Sequence, residues 1–375
     1  MRTRTSATLL IFVLAISLFA CSKIGSDLKP TAVSLNLPSS TYDYSTFETA
    51  QGDQFTGVDN NVATLGRVLF YDTHLAVNNA ISCGSCHKQS IAFSDDVTFS
   101  PGFENHPTLR NTLPIQNVSN SQSFIMNGGG VFNSPSLFWD GRSTFLPSMV
   151  LMPITNHVEM GMSDINGIVE KVKNLKYYQD LFISAYGTAN PDGDKIASAL
   201  SAFVSSIGSG NTRFDQARFG TVQLNALEEQ GRNLFFNKYN CNSCHQTEQA
   251  NGYETGGGFV NIGLDAVYTD KGRQNVSNDV TDNGKFKIPN LRNVVLTGPY
   301  MHDGRFSTLD QVLDHYSQGV SNSPALDPRL RDLNGNPIRM NISTQEKSAL
   351  KAFLSTLTDY KMITDPKYSN PFAAK

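Results

Sequence analysis

Two runs of this chain repeat one pattern of side chains that could hold a large cofactor. Residues 83–87 are CGSCH and residues 241–245 are CNSCH, so each run spaces two cysteines by two residues and ends in histidine. Two thiols at this spacing can add across the two vinyl groups on one edge of a porphyrin, while the histidine supplies an imidazole to the iron. The candidate haem-attachment cysteines and proximal histidines are Cys83, Cys86, His87, Cys241, Cys244 and His245.

A redox dithiol, a zinc site and a chance occurrence are the alternative interpretations of this pattern. A zinc site would need both cysteine pairs to converge on one metal ion. A dithiol does not require a histidine directly after each pair. Two independent copies that both carry the histidine favour covalent attachment, so we expect two c-type haems.

The N-terminal residues predict export. Arg2 and Arg4 precede the apolar run ATLLIFVLAISLFA, which ends just before Cys21. An apolar run of this length is typical of a signal peptide, whereas a transmembrane helix needs about 20 residues. LFAC resembles a bacterial lipobox with Cys21 as the lipidated residue; a plain secretory signal with an incidental cysteine is the alternative. We expect a signal peptide over 1–21, a polar tether over 22–50, and a lipid-anchored protein of the cell envelope or periplasmic space.

Composition narrows the domain count and the class of partner. The chain has 375 residues, of which 39% are hydrophobic, and a formal net charge of −3. A chain of this length forms roughly two domains. Without an excess of basic residues, nothing indicates a nucleic-acid partner. The lipid site and the two cysteine pairs account for all five cysteines, so no disulfide is expected.

Short repeats flank the two cysteine motifs. LGRVLFYD precedes the first motif and QGRNLFFN the second, while WDGRSTFL follows the first and HDGRFSTL the second. Each half therefore predicts a helix, a haem motif, an Asn-bearing loop and a D-G-R turn that opens another helix. The repeat predicts two similar haem domains over 51–210 and 211–361, followed by a tail at 362–375.

Hydrophobic periodicity and cap residues predict the main helices. DNNVATLGRVLF has the helical spacing of apolar residues, and SDINGIVEKVKNLKYYQDLFISAY predicts one long helix that ends at Gly187. Asn225 with Glu228, and Ser343 with Glu346, have the spacing of capping boxes. No convincing run of alternating strand residues occurs, so we expect a mainly α protein.

Several motifs together resemble the bacterial dihaem cytochrome c peroxidase family, which includes the MauG group. They are the two haem motifs about 158 residues apart, FWDGR, NHVEMG and TGPYMHDGRFSTL, and the resemblance covers roughly residues 55–360. It implies a mainly α, loop-rich fold of two cytochrome c-like domains with haems near their interface. It also implies reduction of hydrogen peroxide by a small cytochrome c or cupredoxin donor, and it allows a homodimer.

The resemblance assigns roles to residues that match the family's motifs. Glu159 matches the acid–base residue of the peroxidatic haem, which is the first, and Trp139 matches the tryptophan between the haems. A solvated surface carboxylate and an ordinary core aromatic are the respective alternatives. His302 matches a position near the second, electron-transfer haem. One calcium ion is implied between the domains, and its matched ligands are Asn111, Thr297 and Pro299.

Two positions depart from the family pattern. Phe103 stands where many members have a histidine that ligates the first iron, so we expect an open coordination position, with nearby His106 as the alternative ligand. Tyr316 stands where a methionine usually ligates the second iron, and tyrosine is the axial ligand in the MauG group. Tyr316 shares one apolar helix face with the leucines of STLDQVLDHYSQG, whereas His315 falls about 100° away and is expected to point outward. The alternative is that Tyr316 belongs to the core and Met301 binds the iron.

The main functional prediction is a dihaem cytochrome c peroxidase, an oxidoreductase. One alternative is a MauG-like enzyme that uses peroxide to oxidise a partner protein, which Phe103 and Tyr316 both favour. Another alternative is a dihaem electron carrier or redox sensor that catalyses no reaction. Glu159 and the expected open coordination position on the first iron disfavour it. Oxygenase chemistry on an organic substrate is the weakest alternative.

Overall fold

Helices make up most of the regular structure. The computed structural model describes residues 35–38, 40–118, 136–246 and 258–372. The α-helices among them are α1 (Asn60–Tyr71), α2 (Cys83–Cys86), α3 (Leu146–Met149), α4 (Met152–Thr155), α5 (Ile165–Asn174), α6 (Tyr177–Tyr186), α7 (Gly193–Ser206), α8 (Arg213–Arg218), α9 (Ala226–Asn233), α10 (Gln274–Ser277), α11 (Leu309–Asp314) and α12 (Thr344–Ser355). The strands form two antiparallel pairs, β1 (Thr46–Thr49) with β2 (Gly52–Phe55) and β3 (Phe259–Val260) with β4 (Phe286–Lys287). The mainly α fold is therefore confirmed.

Shorter helical turns connect these elements. The 3₁₀ turns are Thr73–Leu75, Gln89–Ile91, Cys241–Ser243, Val280–Asp282, Val294–Leu296, Pro328–Leu330, Met362–Thr364 and Pro366–Tyr368. Two π-helical segments, Leu234–Lys238 and His315–Gly319, directly continue α9 and α11. Such segments are rare and are frequently found at functional sites.

The first hydrophobic core forms where α1 packs against α7. Asp59 begins α1 by accepting hydrogen bonds from two backbone N–H groups of its first turn. Gly66 allows the helices to approach, because a Cβ there would lie 1.8 Å from the carbonyl oxygen of Ala199. The rings of Phe70 and Phe203 pack beside this contact with their centroids 5.1 Å apart. This packing fixes the end of α1, after which the first haem motif follows.

The second core repeats the same packing between α9 and α12. A Cβ on Gly231 would lie 1.9 Å from the carbonyl oxygen of Ala349, and the rings of Phe235 and Phe353 are 5.2 Å apart. Both helices begin with the predicted capping boxes. The sequence repeat is therefore a structural repeat.

The Asn-bearing loops also dock alike in the two halves. Asn117 and Asn293 both adopt the left-handed backbone conformation, with φ of 57° and 63°, which asparagine tolerates better than most residues. Their backbone N–H groups donate to the carbonyl oxygens of Ile207 and Leu357, at 2.9 and 3.0 Å, near the ends of α7 and α12. Each asparagine thus attaches the loop after its haem motif to the last helix of its half.

The single long helix predicted up to Gly187 is wrong in its middle. The structure has two helices, α5 and α6, because Leu175 adopts an extended conformation and packs against the first core. Asp164 caps the start of α5, and the predicted end at Gly187, with φ of 69°, is confirmed.

The predicted tether and tail also need correction where the structure describes them. Tyr44 and Phe47 are buried, and β1 lies within the segment predicted as a tether over 22–50. In the predicted tail, 362–375, Met362 and Tyr368 are buried in the first core. The Tyr44 hydroxyl donates to the carbonyl oxygen of Lys367 at 3.0 Å, so the two segments stabilise each other. Burial of these large side chains offsets the entropy of ordering both segments.

The predicted signal peptide over 1–21, with Cys21, and residues 22–34 of the tether lie outside the described residues. No helix in the described part of the chain is long and apolar enough to span a bilayer. The chain from Leu35 onward forms one compact unit that contains both cores, and its division into domains over 51–210 and 211–361 stays a prediction.

Candidate haem centres

The first haem motif lies against the end of α1. Gly84 is so close to that helix that a Cβ there would lie 2.4 Å from the Tyr71 ring. The Nδ1 of His87 bonds to the carbonyl oxygen of Phe93 at 2.8 Å. A carbonyl only accepts, so Nδ1 carries the proton and Nε2 keeps a lone pair for a metal. Burial lowers the pKa of His87, which keeps the imidazole neutral.

The second haem motif has the same arrangement built from a different segment. Asn240, with a left-handed φ of 50°, turns the chain into the Cys241–Ser243 turn. The Nδ1 of His245 bonds to the carbonyl oxygen of Pro289 at 3.0 Å, and burial lowers the pKa of His245 to about 4. Both predicted proximal histidines therefore present a neutral imidazole with Nε2 available.

A cavity of about 260 Å³ adjoins the second motif. Its lining brings together the residues predicted for the second haem, which are Cys241, Cys244, His245, Met301, His302 and Tyr316. The phenols of Tyr268 and Tyr300 in this lining make hydrogen bonds to described residues, whereas those of Tyr316 and Tyr239 do not. Burial, and to a smaller extent the neighbouring thiols, raises the pKa of Tyr316. An unpartnered phenol in the same cavity as His245 fits a second axial ligand.

His315 is buried, so the prediction that it points outward is wrong. Helix α11 ends at Asp314 and continues as the π-helical segment His315–Gly319, in which each residue advances by less than 100°. His315 is 4% exposed, and its Nε2 bonds to the carbonyl oxygen of Ile262 at 3.0 Å. Projection onto an ideal α-helix cannot anticipate this change of pitch.

Glu159 lies beside the first motif, in the loop after α4. The side-chain amide of Asn156 donates to Glu159 Oε1 at 2.9 Å. Burial raises the pKa of Glu159, and the charge of Arg142 partly offsets the increase. The pKa values of the Cys83 and Cys86 thiols are raised chiefly by burial and to a smaller extent by the Glu159 charge. The carboxylate is therefore close enough to the first motif to influence it electrostatically.

Phe103 adjoins the same loop. Its N–H donates to the carbonyl oxygen of Glu159 at 2.9 Å, and its ring fills the space beside Gly161, where a Cβ would lie 2.5 Å from the ring. The side chain of His106, the alternative ligand, is 73% exposed. His157, which is next but one to Glu159, is also exposed.

The two D-G-R turns bring Trp139 into contact with His302. The ends of each turn are joined by a backbone hydrogen bond, of 2.8 Å in the first half and 2.7 Å in the second, and each turn contains a glycine with positive φ. The rings of Trp139 and His302 lie 6.5 Å apart at 73°. The Trp139 indole N–H donates to the Asn111 carbonyl oxygen at 2.8 Å, and His302 stacks on Phe286 at 3.6 Å. Residues at equivalent positions of the repeat thus form a contact between the halves.

An ion-pair cluster around Arg110 holds this contact, and sequence reasoning missed it. The guanidinium bonds to Asp140 at 2.6 Å and to Asp270 at 2.7 and 2.9 Å, and it lies 5.5 Å from the Phe286 ring centroid. Asp140 belongs to the W-D-G-R motif, and this was the one sign of the cluster in the sequence. Arg110 and Asp270 lie outside the repeated motifs, so the spacing of residues could not identify them.

The three predicted calcium ligands, Asn111, Thr297 and Pro299, line the same cavity as the second motif. The amide nitrogen of Asn111 donates to the carbonyl oxygens of Val97 and Thr98 at 3.1 and 3.3 Å, which leaves its Oδ1 available as a ligand. The described residues contain no group of three or more His, Cys, Asp or Glu side chains that could hold a metal ion. A cation here would therefore depend on amide and carbonyl oxygens, which calcium accepts.

The donor set of each half fits a c-type haem, since two thiols at the attachment spacing precede a neutral imidazole with Nε2 available. The family model for di-haem cytochrome c peroxidase matches residues 60–223. The methylamine utilization protein MauG of Methylorubrum extorquens is 34% identical over 297 residues, which are 78% of this chain and 77% of that protein. This chain belongs to the di-haem cytochrome c peroxidase family.

Two further similarities span most of the chain. The cytochrome c551 peroxidase of Nitrosomonas europaea is 31% identical over 321 residues, 83% of this chain and 85% of that protein. The crystal structure of a MauG-like protein associated with microbial copper homeostasis matches with a TM-score of 0.73 at 30% identity, over 85% of this chain and 95% of that one. The predicted family, the oxidoreductase class and the two c-type haems are thus confirmed. The roles of individual residues, calcium, the lipid anchor, the homodimer and the electron donor stay predictions.

Proposed function

We propose that this di-haem peroxidase reduces hydrogen peroxide at its first haem, with Glu159 as the acid–base residue. Each peroxide consumes two electrons and two protons and yields two water molecules. The electrons come from a small cytochrome c or cupredoxin and enter at the second haem. The observation that carries the proposal is a carboxylate with a raised pKa, Glu159, beside the first CxxCH motif.

The chemistry of the first site divides between the cofactor and the chain. Cys83, Cys86 and His87 would hold the haem, which supplies the iron that binds peroxide and the electrons that break the O–O bond. Ionised Glu159 accepts the proton of the bound peroxide and delivers it to the leaving oxygen, which departs as water. Asn156 holds Oε1 of this carboxylate at 2.9 Å, so Oε2 is the oxygen available for the proton.

The surroundings of Glu159 support an iron with an open coordination position. Phe103 cannot bind iron, and its backbone is fastened to Glu159. The exposed side chain of His106 would have to leave solvent to reach the site. Peroxide would then react without prior reduction of the second haem.

At the second site, Cys241, Cys244 and His245 would hold the haem, with Tyr316 as its other axial ligand. Trp139 and His302 would lie on the route between the haems. A phenolate ligand stabilises ferric iron, which makes the second haem a weak store of electrons. Tyr316 and Phe103 therefore favour a second candidate function, which is peroxide-dependent oxidation of a partner protein.

A calcium ion is part of the proposal. Asn111, Thr297 and Pro299 would bind it, since all three line one cavity. After dialysis against a calcium-containing buffer and removal of free calcium, elemental analysis should find one calcium ion per chain, and finding none would contradict the site.

A lipid anchor and a homodimer are also part of the proposal. Cys21 would anchor the exported protein to a membrane, and mass spectrometry of the mature N-terminus should find it diacylated. A homodimer would appear as twice the chain mass in light scattering, and the mass of a single chain would exclude it.

The decisive experiment is steady-state turnover of peroxide with a reduced small cytochrome c as donor. Glu159→Gln should lower kcat/KM for peroxide by about 10²–10⁴-fold, because the isosteric amide cannot carry the proton. The matched control is Glu170→Gln, since Glu170 is exposed and pairs only weakly with Lys173. Near-normal turnover by the haem-loaded Glu159→Gln protein would exclude Glu159 as the acid–base. Peroxide-dependent modification of a partner protein, without turnover of any small donor, would instead support the second function.

The pH dependence tests the same assignment. Only ionised Glu159 can accept a proton, and burial raises its pKa above the ordinary 4.5. We expect kcat/KM to fall as the pH falls through this raised pKa, while Glu159→Gln lacks that acidic limb. An identical limb in both proteins would assign the titration to another group.

A further inference from the structure

The cavity beside the second haem motif contains one charged side chain without a counter-charge. The charged side chains in its described lining are Lys287, Asp327 and Arg329. Arg329 and Asp327 neutralise each other through two hydrogen bonds of 2.8 and 2.9 Å. The ammonium of Lys287 makes no hydrogen bond or ion pair with any residue that the structure describes.

The backbone places Lys287 firmly at this site. Lys287 ends β4, and its N–H donates to the Trp139 carbonyl oxygen at 2.7 Å. Its neighbour Phe286 stacks on His302, so the segment is fixed at the junction of the two halves. Burial lowers the pKa of the Lys287 ammonium to about 8, which still leaves most of it charged at neutral pH. Lys285, two residues earlier, differs because its ammonium pairs with Asp282 at 3.0 Å.

An unpaired charge in an apolar cavity is costly unless an anion accompanies it. A c-type haem brings two anions, because its propionates remain ionised after the vinyl groups have reacted with the thiols. We propose that Lys287 forms an ion pair with a propionate of the second haem and thereby raises the reduction potential of that haem. The proposal rests on the second haem of the proposed function, but it does not depend on peroxide turnover.

The ion pair would oppose the effect of Tyr316. Reduction adds one negative charge to the haem, and a nearby ammonium stabilises that charge, whereas a phenolate ligand destabilises it. At a separation of roughly 10 Å and an effective dielectric constant near 20, one unit charge changes the equilibrium by about tenfold. Lys287 would thus keep the second haem reducible by a small electron-transfer protein.

The test is a potentiometric titration of the full, haem-loaded protein, monitored by optical and electron paramagnetic resonance spectra that separate the two haems. Lys287→Met should shift the ferric–ferrous equilibrium of the second haem about tenfold toward ferric. This shift lowers the reduction potential of that haem by about 59 mV for one electron. Lys287→Arg should stay close to the wild type. Lys285→Met, the matched control, removes the same charge two residues away and should leave the potential unchanged.

The proposal is overturned if Lys287→Met binds both haems and the reduction potential of its second haem is unchanged. It is also overturned if that potential moves no more than in Lys285→Met. If Lys287→Met does not fold, a crystal structure of the wild-type holoprotein decides. An Nζ within about 3.2 Å of a propionate oxygen supports the ion pair, and an Nζ bonded elsewhere excludes it. A protein that binds two haems but has no peroxidase activity would count against the proposed function and leave the ion pair untouched. A protein that binds a single haem would overturn both the proposed function and the ion pair.

Discussion

In each half of this chain a helical glycine meets the carbonyl oxygen of an alanine, Gly66 with Ala199 and Gly231 with Ala349. Each half also directs a histidine Nδ1 to a backbone carbonyl, which frees Nε2 for iron. The halves differ in the side chains that lie near the two haem motifs. The first has the carboxylate of Glu159 and the second the phenol of Tyr316. The comparison teaches that one scaffold can orient two histidines alike while single side chains make the surroundings of the two motifs different.

The loops that follow the two motifs differ in charge. Gln116 lies at the position equivalent to Arg292, and its amide donates to the Arg292 carbonyl oxygen at 3.0 Å. Arg292 forms a buried, bidentate ion pair with Asp215 at 2.6 and 2.7 Å. The second half therefore depends on a buried charge pair where the first half has a neutral amide.

Breaking that charge pair should have the largest effect on stability. Asp215→Asn leaves the Arg292 guanidinium buried without its carboxylate, so we expect the free energy of unfolding to fall by about 3–5 kcal/mol. Gln116→Leu removes only a neutral hydrogen bond at the equivalent position and should cost about 1 kcal/mol. Urea unfolding of both haem-loaded variants measures the difference. Equal costs would mean that the charge pair does not distinguish the halves.

Replacing Tyr316, the proposed axial ligand, should change the reduction potential and the spectra of the second haem. Tyr316→Met should raise its reduction potential by on the order of 100 mV, a modest part of the range of about 0.8 V that axial ligands span. Tyr316→Phe should remove the proposed ligand and alter the optical and paramagnetic resonance spectra of that haem.

Tyr300→Phe is the control for both changes, because the Tyr300 phenol lines the same cavity but donates to the Val294 carbonyl oxygen at 3.1 Å. Spectra of Tyr316→Phe that match the wild type would exclude Tyr316 as a ligand and leave Met301 as the candidate.

Substitutions at the two helix crossings should have the smallest of these effects. They test most directly whether the two hydrophobic cores contribute equally to stability. Gly66→Ala and Gly231→Ala should each lower the free energy of unfolding by about 1–3 kcal/mol, because the new methyl groups would collide with backbone carbonyls. Gly167→Ala in α5 is the control, since the closest contact of its Cβ would be the flexible end of Met162, and it should change stability by less than about 1 kcal/mol. A marked difference between the two crossing variants would show that the cores do not contribute equally.

Local patterns predicted the helix starts better than the helix interiors. The capping boxes at Asn225 and Ser343 form as expected, because a cap depends on residues three positions apart. The break at Leu175 and the π-helical turn at His315 were missed: Leu175 packs against the first core and His315 bonds to the Ile262 carbonyl, and both contacts lie outside the helix. The Arg110 cluster was missed for the same reason, as its partner Asp270 is distant in sequence.

The sequence by itself determined the haem-attachment motifs, the repeat and the family, because thiol spacing and short motifs are local properties of the chain. Only the tertiary structure decided that Trp139 meets His302, that the Pro289 carbonyl orients His245, and that Tyr316 shares a cavity with Lys287. These contacts join segments far apart in the chain. They exist because long-range packing and ion pairs such as that of Arg110 with Asp270 bring the segments together, and no spacing of residues records that geometry.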